Sequence, residues 1–546
     1  MKNFKFLNYL ITGAVLLSVQ SCSKQIDEVY ANPNANVKQP VEKLLPNIIS
    51  NMCISFTAQG SNYGPQNDGL YVGRYTQFWA TNTANNQYDL MGQTTTNNTS
   101  AIADIGGSQW AMHYYGMGAN LNKVIEWGTE DKKWDYVGVA HAIRAFGWLA
   151  VTDMHGEVIL KDAFNPNLLV FRYDTQQEVY EEVKKECRLA IEFLSRTGDG
   201  VSAANLAIGA SYFSLQGDVE KWKKFTYSIM ARVFHRTTNK STYSADSVIK
   251  YCNLAINDNA DNAYVLFQGL GTQTNSFYGP FRGNVGALRQ TKFIADLESG
   301  LNTSFPGLVD PRAWYIIREN TNTTFKGIRP GKGVEALSTN DQPRNFWGGL
   351  YSTTTGSNAN SRYIFKDAMP WPVVTACEIQ FLKAEALYRK ADKAGARIAY
   401  ANGISLSIDM LNNDYSSAVP VARLITPAMK ATFLANPLLV PSLANFNLSH
   451  IMLQKFIALY GYGFMETWAD LRRFHYLDFE AGTTRQVYTD FAPPALAELF
   501  ANNNQKYIYR VRPRYNSEFL YNIDALTVIG ALALDFHTKE QWFSQP

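Results

Sequence analysis

Apolar residues recur at three- and four-residue steps through most of this 546-residue chain, and that period admits few folds. From Val41 the set Leu44, Leu45, Ile48, Ile49 and Met52 keeps one helical face. The same spacing predicts helices over residues 110–127, 134–154, 219–236, 244–256, 373–390, 397–411 and 448–474, with a shorter one over 287–298. Within 134–154, Val139, Ile143, Phe146 and Ala150 share a face. Asp174-Thr175 with Glu178 has the spacing of a capping box, and Val179, Val183, Cys187, Ala190, Ile191 and Leu194 then mark a helix. Helices patterned on more than one face pack on both sides, as in helical solenoids. Three stretches break the period: 81–108, 258–286 and 320–362, rich in Asn, Thr and Gly. Strand signal is sparse. The expected fold is therefore mainly α: tetratricopeptide-like helix pairs forming a superhelical scaffold with long irregular loop insertions. No strict thirty-four-residue repeat accompanies it.

The start of the chain carries an address. Lys2 and Lys5 precede an apolar run over residues 9–17 and then Ser18-Val19-Gln20-Ser21-Cys22. A charged start, an apolar middle and small residues before a cleavage point make an export signal over residues 1–21. A cysteine directly after Ser21 resembles a bacterial lipobox, which implies cleavage before Cys22 and a diacylglycerol on its sulfur. The apolar run is too short to span a bilayer. Residues 22–36 read as a lipidated flexible tether, polar and containing Asn and Pro. Residues 37–546 read as one helical domain. An acyl anchor holds the chain to a membrane surface, and Asp27 and Glu28 close behind the cysteine resemble a surface-export signal, so the expected location is the outer membrane, lipid-anchored and exposed at the cell surface.

Without Lys2 and Lys5 there are 48 basic residues against 47 acidic ones, which gives no field for nucleic acid. Cys53, Cys187, Cys252 and Cys377 lie in helix-like stretches without CxxC or metal-ligand spacing, and read as small buried apolar side chains.

Catalytic signatures are missing. The chain has no HExxH, no Walker A and no G-x-S-x-G, and nothing calls for a cofactor. Arg329-Pro330-Gly331-Lys332-Gly333 has the glycines and lysine of a phosphate cradle but not its Ser/Thr, and reads as a plain loop. Asp153, His155 and Glu157 form a D-x-H-x-E string. Metal ligation is one reading; a helix-ending turn whose polar groups satisfy the backbone is the other. Glu466, Asp470 and Arg473 stand at four- and three-residue steps, the spacing of intrahelical ion pairs in a scaffold helix. No residue is assigned as catalytic or metal-binding.

Several phrases, in order, resemble the SusD/RagB family, closest to its second, SusD-like branch. They are TDMHGEVILKDA at 152–163, YDTQQEVYEEVKKECRLAI at 173–191, KWKKFTYSIMARVFHR at 221–236, TACEIQFLKAEA at 375–386, GYGFMETWADLRR at 461–473 and RVRPRYNSEFLYN at 510–522. Glu157, Ile159-Leu160 and His155 depart from that family's usual residues in the first phrase. The resemblance implies a lipoprotein that binds an oligosaccharide and passes it to a SusC-like TonB-dependent outer-membrane transporter. Some members of that family carry peptides instead. A surface glycoside hydrolase is the alternative from another class.

The chain holds 31 Tyr, 31 Phe and 11 Trp, many beside Asn, Gly and Thr in the irregular stretches. Sugar rings offer apolar faces to aromatic side chains and hydroxyl rims to Asn and Arg. The expected ligand contacts are Arg74, Trp79, Asn82 and Tyr88 in or beside the first stretch, Phe277 and Tyr278 in the second, and Trp347 and Tyr351 in the third.

Overall fold

The computed structural model describes residues 38–52, 65–84, 88–92, 107–267, 287–346, 358–513 and 515–546. In chain order it places α1 (Leu45–Asn51), α2 (Pro65–Tyr75), β1 (Trp79–Thr81), α3 (Ala119–Glu130), α4 (Trp134–His155), α5 (Gln176–Leu194), α6 (Val219–Arg236) and α7 (Ala245–Leu254). Then come β2 (Ala263–Val265), β3 (Leu288–Gln290), α8 (Lys292–Ser299), β4 (Trp371–Val374), α9 (Ala376–Arg389), α10 (Lys393–Asp414), α11 (Leu448–Ala458) and α12 (Phe464–Arg473). Helices pack in sequence: α3 on α4, α4 on α5, α5 on α6, α6 on α7, then α7 on α9 and α9 on α10 and α11. The strands form two small antiparallel pairs, β1 with β3 and β2 with β4.

Local chemistry accounts for the array. The capping box forms: the Glu178 N–H donates to Thr175 Oγ1 at 3.3 Å, and the Thr175 N–H donates to Glu178 Oε2 at 2.9 Å. Val179, Val183, Cys187, Ala190 and Leu194 are the buried stripe that follows. Helix α4 is buried nearly all round. Gly138 lets α5 close on it, since a Cβ there would meet Leu194 Cγ at 2.6 Å. The chain's end returns to α4, where the Val511 N–H and Gln541 Nε2 both donate to the Met154 carbonyl. Cys187, Cys252 and Cys377 are buried free thiols; Cys22 and Cys53 lie outside the described residues.

The core contains a chain of buried ion pairs. Arg236 on α6 donates to Asp153 on α4 at 2.8 Å and to Glu466 on α12 at 2.5 Å. Arg232, one turn earlier, grips Glu378 on α9 through two bonds of 2.7 Å. Glu385 on α9 accepts from both Nη atoms of Arg473 at 2.9 Å and faces His235 at 2.7 Å. These residues are at most 5 % exposed. Buried charges of this kind need full pairing.

The structure corrects several expectations. Residues 287–298 are not one helix: Leu288, Arg289 and Gln290 pair with β1, and α8 begins at Lys292. Residues 371–374 are β4, so the helix expected from 373 starts at Ala376. The helix expected over 448–474 is two, parted at Gly461 (φ 87°), where the Tyr363 hydroxyl takes the Tyr460 carbonyl at 2.9 Å. Over 110–127 the helix passes through a π-helical segment, Met112–Gly118. Glu466 pairs across to Arg236 rather than along its own helix, while Asp470 and Arg473 do pair within α12.

Candidate ligand-binding site

The β1–β3 pair gathers the irregular stretches. Its register sets Trp79 opposite Gln290, Ala80 opposite Arg289 and Thr81 opposite Leu288. Because the strands are antiparallel, the chain leaving β1 and the chain arriving at β3 meet at the same end. The first chain leads into stretch 81–108 and the second comes from stretch 258–286. Asn82 joins them: its N–H donates to the Ala287 carbonyl at 2.7 Å. The third stretch is tied to the same residue, since the Asn82 carbonyl accepts the Val334 N–H at 2.9 Å. Ile328 also adds a rung beside β3, donating to the Gln290 carbonyl at 3.1 Å and accepting from Lys292 at 2.9 Å. Ala80, Ile328 and Val334 form a small buried apolar cluster beneath this joint. Arg289 is fully buried in β3; burial lowers its pKa to about 10, which leaves it charged at neutral pH.

Aromatic packing holds the third stretch from below. Phe346, just before residues 347–357, stacks on Phe365 with centroids 4.1 Å apart and planes 15° apart. Trp79 meets both edge-on, at 6.3 and 6.5 Å. The far side is fastened by Asn358, whose side-chain oxygen accepts the Asp367 N–H at 2.7 Å.

The expected contact residues divide into three groups. Trp79 is fully buried and donates its indole N–H to the Leu70 carbonyl at 3.2 Å. Tyr88 is 4 % exposed and packs edge-on to Tyr75. Both side chains belong to the main buried core. Arg74 and Asn82 are half-buried. The Arg74 guanidinium lies over the Tyr71 ring at 5.4 Å. Phe277, Tyr278, Trp347 and Tyr351 lie outside the described residues. Val334, Ile328 and Phe365 were missed. Each acts through a backbone bond or a stack with a residue distant in sequence, and no local pattern marks such pairings.

The D-x-H-x-E string does not converge. Asp153 bonds Arg236 and Tyr180, His155 Nδ1 faces the Arg512 carbonyl, and Glu157 pairs with Arg510. Among the described residues no group of three or more His, Cys, Asp and Glu could hold a metal ion. The Arg329–Gly333 loop is no phosphate cradle either, since Lys332 pairs with Glu498 at 2.6 Å. That ammonium holds Glu498 below the usual carboxylate range, the opposite of what a general acid needs.

The helical array is that of SusD/RagB proteins. A SusD/RagB family protein from Bacteroides thetaiotaomicron VPI-5482 matches with a TM-score of 0.67 at 18% identity, covering 93% of this chain and 99% of that one. A chitin-binding SusD homolog from Flavobacterium johnsoniae matches with a TM-score of 0.64 at 17% identity, covering 92% and 98%. A SusD homolog from Bacteroides fragilis NCTC 9343 gives 0.64 at 17% identity, covering 92% of this chain and all of that one. Residues 33–493 match the SusD-like family described as starch-binding and associating with the outer membrane, and the chain belongs to that family. No curated protein matches the sequence. Among the described residues no helix is long and apolar enough to cross a membrane.

Proposed function

We propose that this protein is a cell-surface lipoprotein, anchored through Cys22, that binds an oligosaccharide without cleaving it and delivers it to a SusC-like TonB-dependent outer-membrane transporter. The observation that carries the reading is the Asn82 joint, where one residue's two backbone groups fasten all three Asn- and aromatic-rich stretches to one end of a strand pair. Loops on a rigid scaffold are where recognition residues belong. Phe277, Tyr278, Trp347 and Tyr351 supply the stacking faces, with Asn82 and Arg74 on the hydroxyl rims. The family's description as starch-binding supports a glycan, and so does the chitin-binding relative. The lipobox-like start supports the anchor. A polar tether at 23–36 would keep the binding domain at high effective concentration over its transporter.

The test has two arms. A lipid-free Cys22→Ser protein is titrated with maltooligosaccharides, chitooligosaccharides and a peptide library. Saturable glycan binding without new reducing ends is expected. Peptide binding alone would move the cargo to peptides, and new reducing ends lost on a single carboxylate substitution would favour a hydrolase. Separately, the native protein is isolated from outer membranes in mild detergent. Recovery without any TonB-dependent transporter would remove the delivery role.

A further inference from the structure

The loop that reaches the joint at Val334 also forms one wall of an open cleft. The cleft lies between Arg329–Lys332, α8 and residues 490–498, and its volume is about 770 Å³, within the range of small-ligand sites. Half-buried Pro493 and Pro494 give it stiff apolar surface, over buried Phe293 and Pro330. Its charged lining is balanced: Lys292, Arg329 and Lys332 against Asp296, Asp490 and Glu498. The carboxylates are already engaged. Asp296 pairs with Lys292, Glu498 pairs with Lys332, and Asp490 accepts from the Thr303 N–H at 2.7 Å and its hydroxyl at 3.0 Å.

One lining residue is both strained and unsatisfied. Gln77, just after α2, has φ of 56°, a left-handed conformation that non-glycine residues rarely adopt. It is 3 % exposed, and its amide Nε2 hydrogen-bonds to nothing. Its backbone is fixed by a bond from its N–H to the Arg74 carbonyl at 3.0 Å and by the Thr291 hydroxyl donating to its carbonyl. A buried amide without a partner is an exception in native proteins, and strained backbone gathers at ligand sites. Here both fall on the same residue in the wall of the same cleft.

We propose that the cleft is a second saccharide subsite, for an uncharged pyranose. Pro493 and Pro494, both half-buried, take a ring face, and the Gln77 amide with the charged rim bonds the hydroxyls. Charge balance excludes a preference for acidic sugars. The inference rests on the glycan reading above and extends it. Gln77 and Asn82 are five residues apart, so at most about 18 Å of chain separates cleft from joint, and one oligosaccharide seated at the joint continues into the cleft.

The test compares wild type with Gln77→Gly, both as the full chain purified in detergent, against maltotriose and maltoheptaose, chitotriose and chitohexaose, and an oligogalacturonate. Glycine adopts the positive φ freely, so Gln77→Gly keeps the fold while removing the amide; thermal denaturation checks this. Wild type is expected to bind the longer neutral oligomer more tightly than the shorter one. Gln77→Gly is expected to lose about two- to tenfold on the longer oligomer, the worth of one or two neutral hydrogen bonds, and nothing on the shorter. Equal affinities of the two proteins at every length, or a wild type indifferent to length, would overturn the subsite and leave the glycan reading standing. Tighter binding of the oligogalacturonate would overturn its neutrality. A wild type that binds none of these probes would sink the glycan reading and the subsite with it.

Discussion

The helical array and the loop joint are held by different means. In the array, side-chain identity does the holding. Arg236 reaches Asp153, 83 residues away, and Glu466, 230 residues away, and each partner is a buried carboxyl. At the joint the backbone does the holding, through the Asn82 N–H and carbonyl. A backbone bond tolerates most side chains, while a buried ion pair tolerates almost none. The array is thus constrained residue by residue, whereas the joint fixes where loops start and leaves their contents free. That division suits a scaffold that carries different cargoes.

If the array rests on buried groups that titrate in weak acid and the joint does not, acid should attack the array first, and this is the largest effect expected. Burial lowers the pKa of His113, His155 and His537 to about 3 and of His235 and His450 to about 4. Their unfolded value is 6.5, so below it the unfolded chain takes up protons that the folded chain refuses. Stability from these groups is full above pH 6.5 and falls as the pH drops toward 4 and then 3. Each group contributes about 1.4 kcal/mol per pH unit in that window. Glu298 works the other way, because burial and the nearby Asp310 push its carboxyl up. The net expectation is a melting temperature that falls steeply between pH 6.5 and 5, read by calorimetry. A flat profile over that range would erase the contrast with the joint, which contains none of the five.

Next comes Arg236→Met. It removes the cation that Asp153 and Glu466 share, leaving Asp153 only the Tyr180 hydroxyl and Glu466 only Arg232 at 3.5 Å, and should cost about 3–5 kcal/mol in urea unfolding. Protein still folded at low temperature should keep wild-type glycan affinity, because the joint lies elsewhere. A cost below about 1 kcal/mol would mean that those carboxyls protonate readily once unpaired; burial already raises Asp153.

The same contrast explains what was legible in the sequence. The phrases that resemble the SusD/RagB family contain Asp153, Arg232, Arg236, Glu378, Glu385, Glu466 and Arg473, the members of the buried ion network. Charged residues at fixed places inside helical periods stand out because a core forces them there. The helices of the array were legible for the same reason: Val219–Arg236 has the expected bounds. Strands β1, β3 and β4 were not. Each has three or four residues, stabilised by a partner about 100 to 210 positions away, and a short apolar run fits helix or strand equally well. Trp79 and Tyr88 stand beside Asn and Thr in sequence, a setting that reads as exposed, yet both are buried, because residues distant in sequence cover them.

A smaller effect is expected from the packing under the joint. Phe365→Leu keeps an apolar side chain but removes the stack on Phe346. Aromatic pairs of this kind contribute about 0.5–1.5 kcal/mol, so stability should fall by about 1 kcal/mol. Glycan affinity should fall too, since the base of residues 347–357 loosens. Unchanged affinity would detach that segment from recognition.

Asn82→Ala is the finest cut, because it separates the two uses of one residue. The joint employs only the backbone of Asn82, and alanine retains both groups. Its side chain is half-buried and makes no hydrogen bond among the described residues. Stability should therefore stay within about 0.5 kcal/mol of wild type. If the side chain meets a sugar hydroxyl, affinity for the best oligosaccharide should drop about two- to tenfold, the worth of one or two neutral hydrogen bonds. A large loss of stability would show that the side chain, not the backbone, builds the joint, and the contrast between array and joint would fail at its centre. Unchanged stability with unchanged affinity would keep Asn82 as an anchor and leave recognition to the aromatic residues of the three stretches.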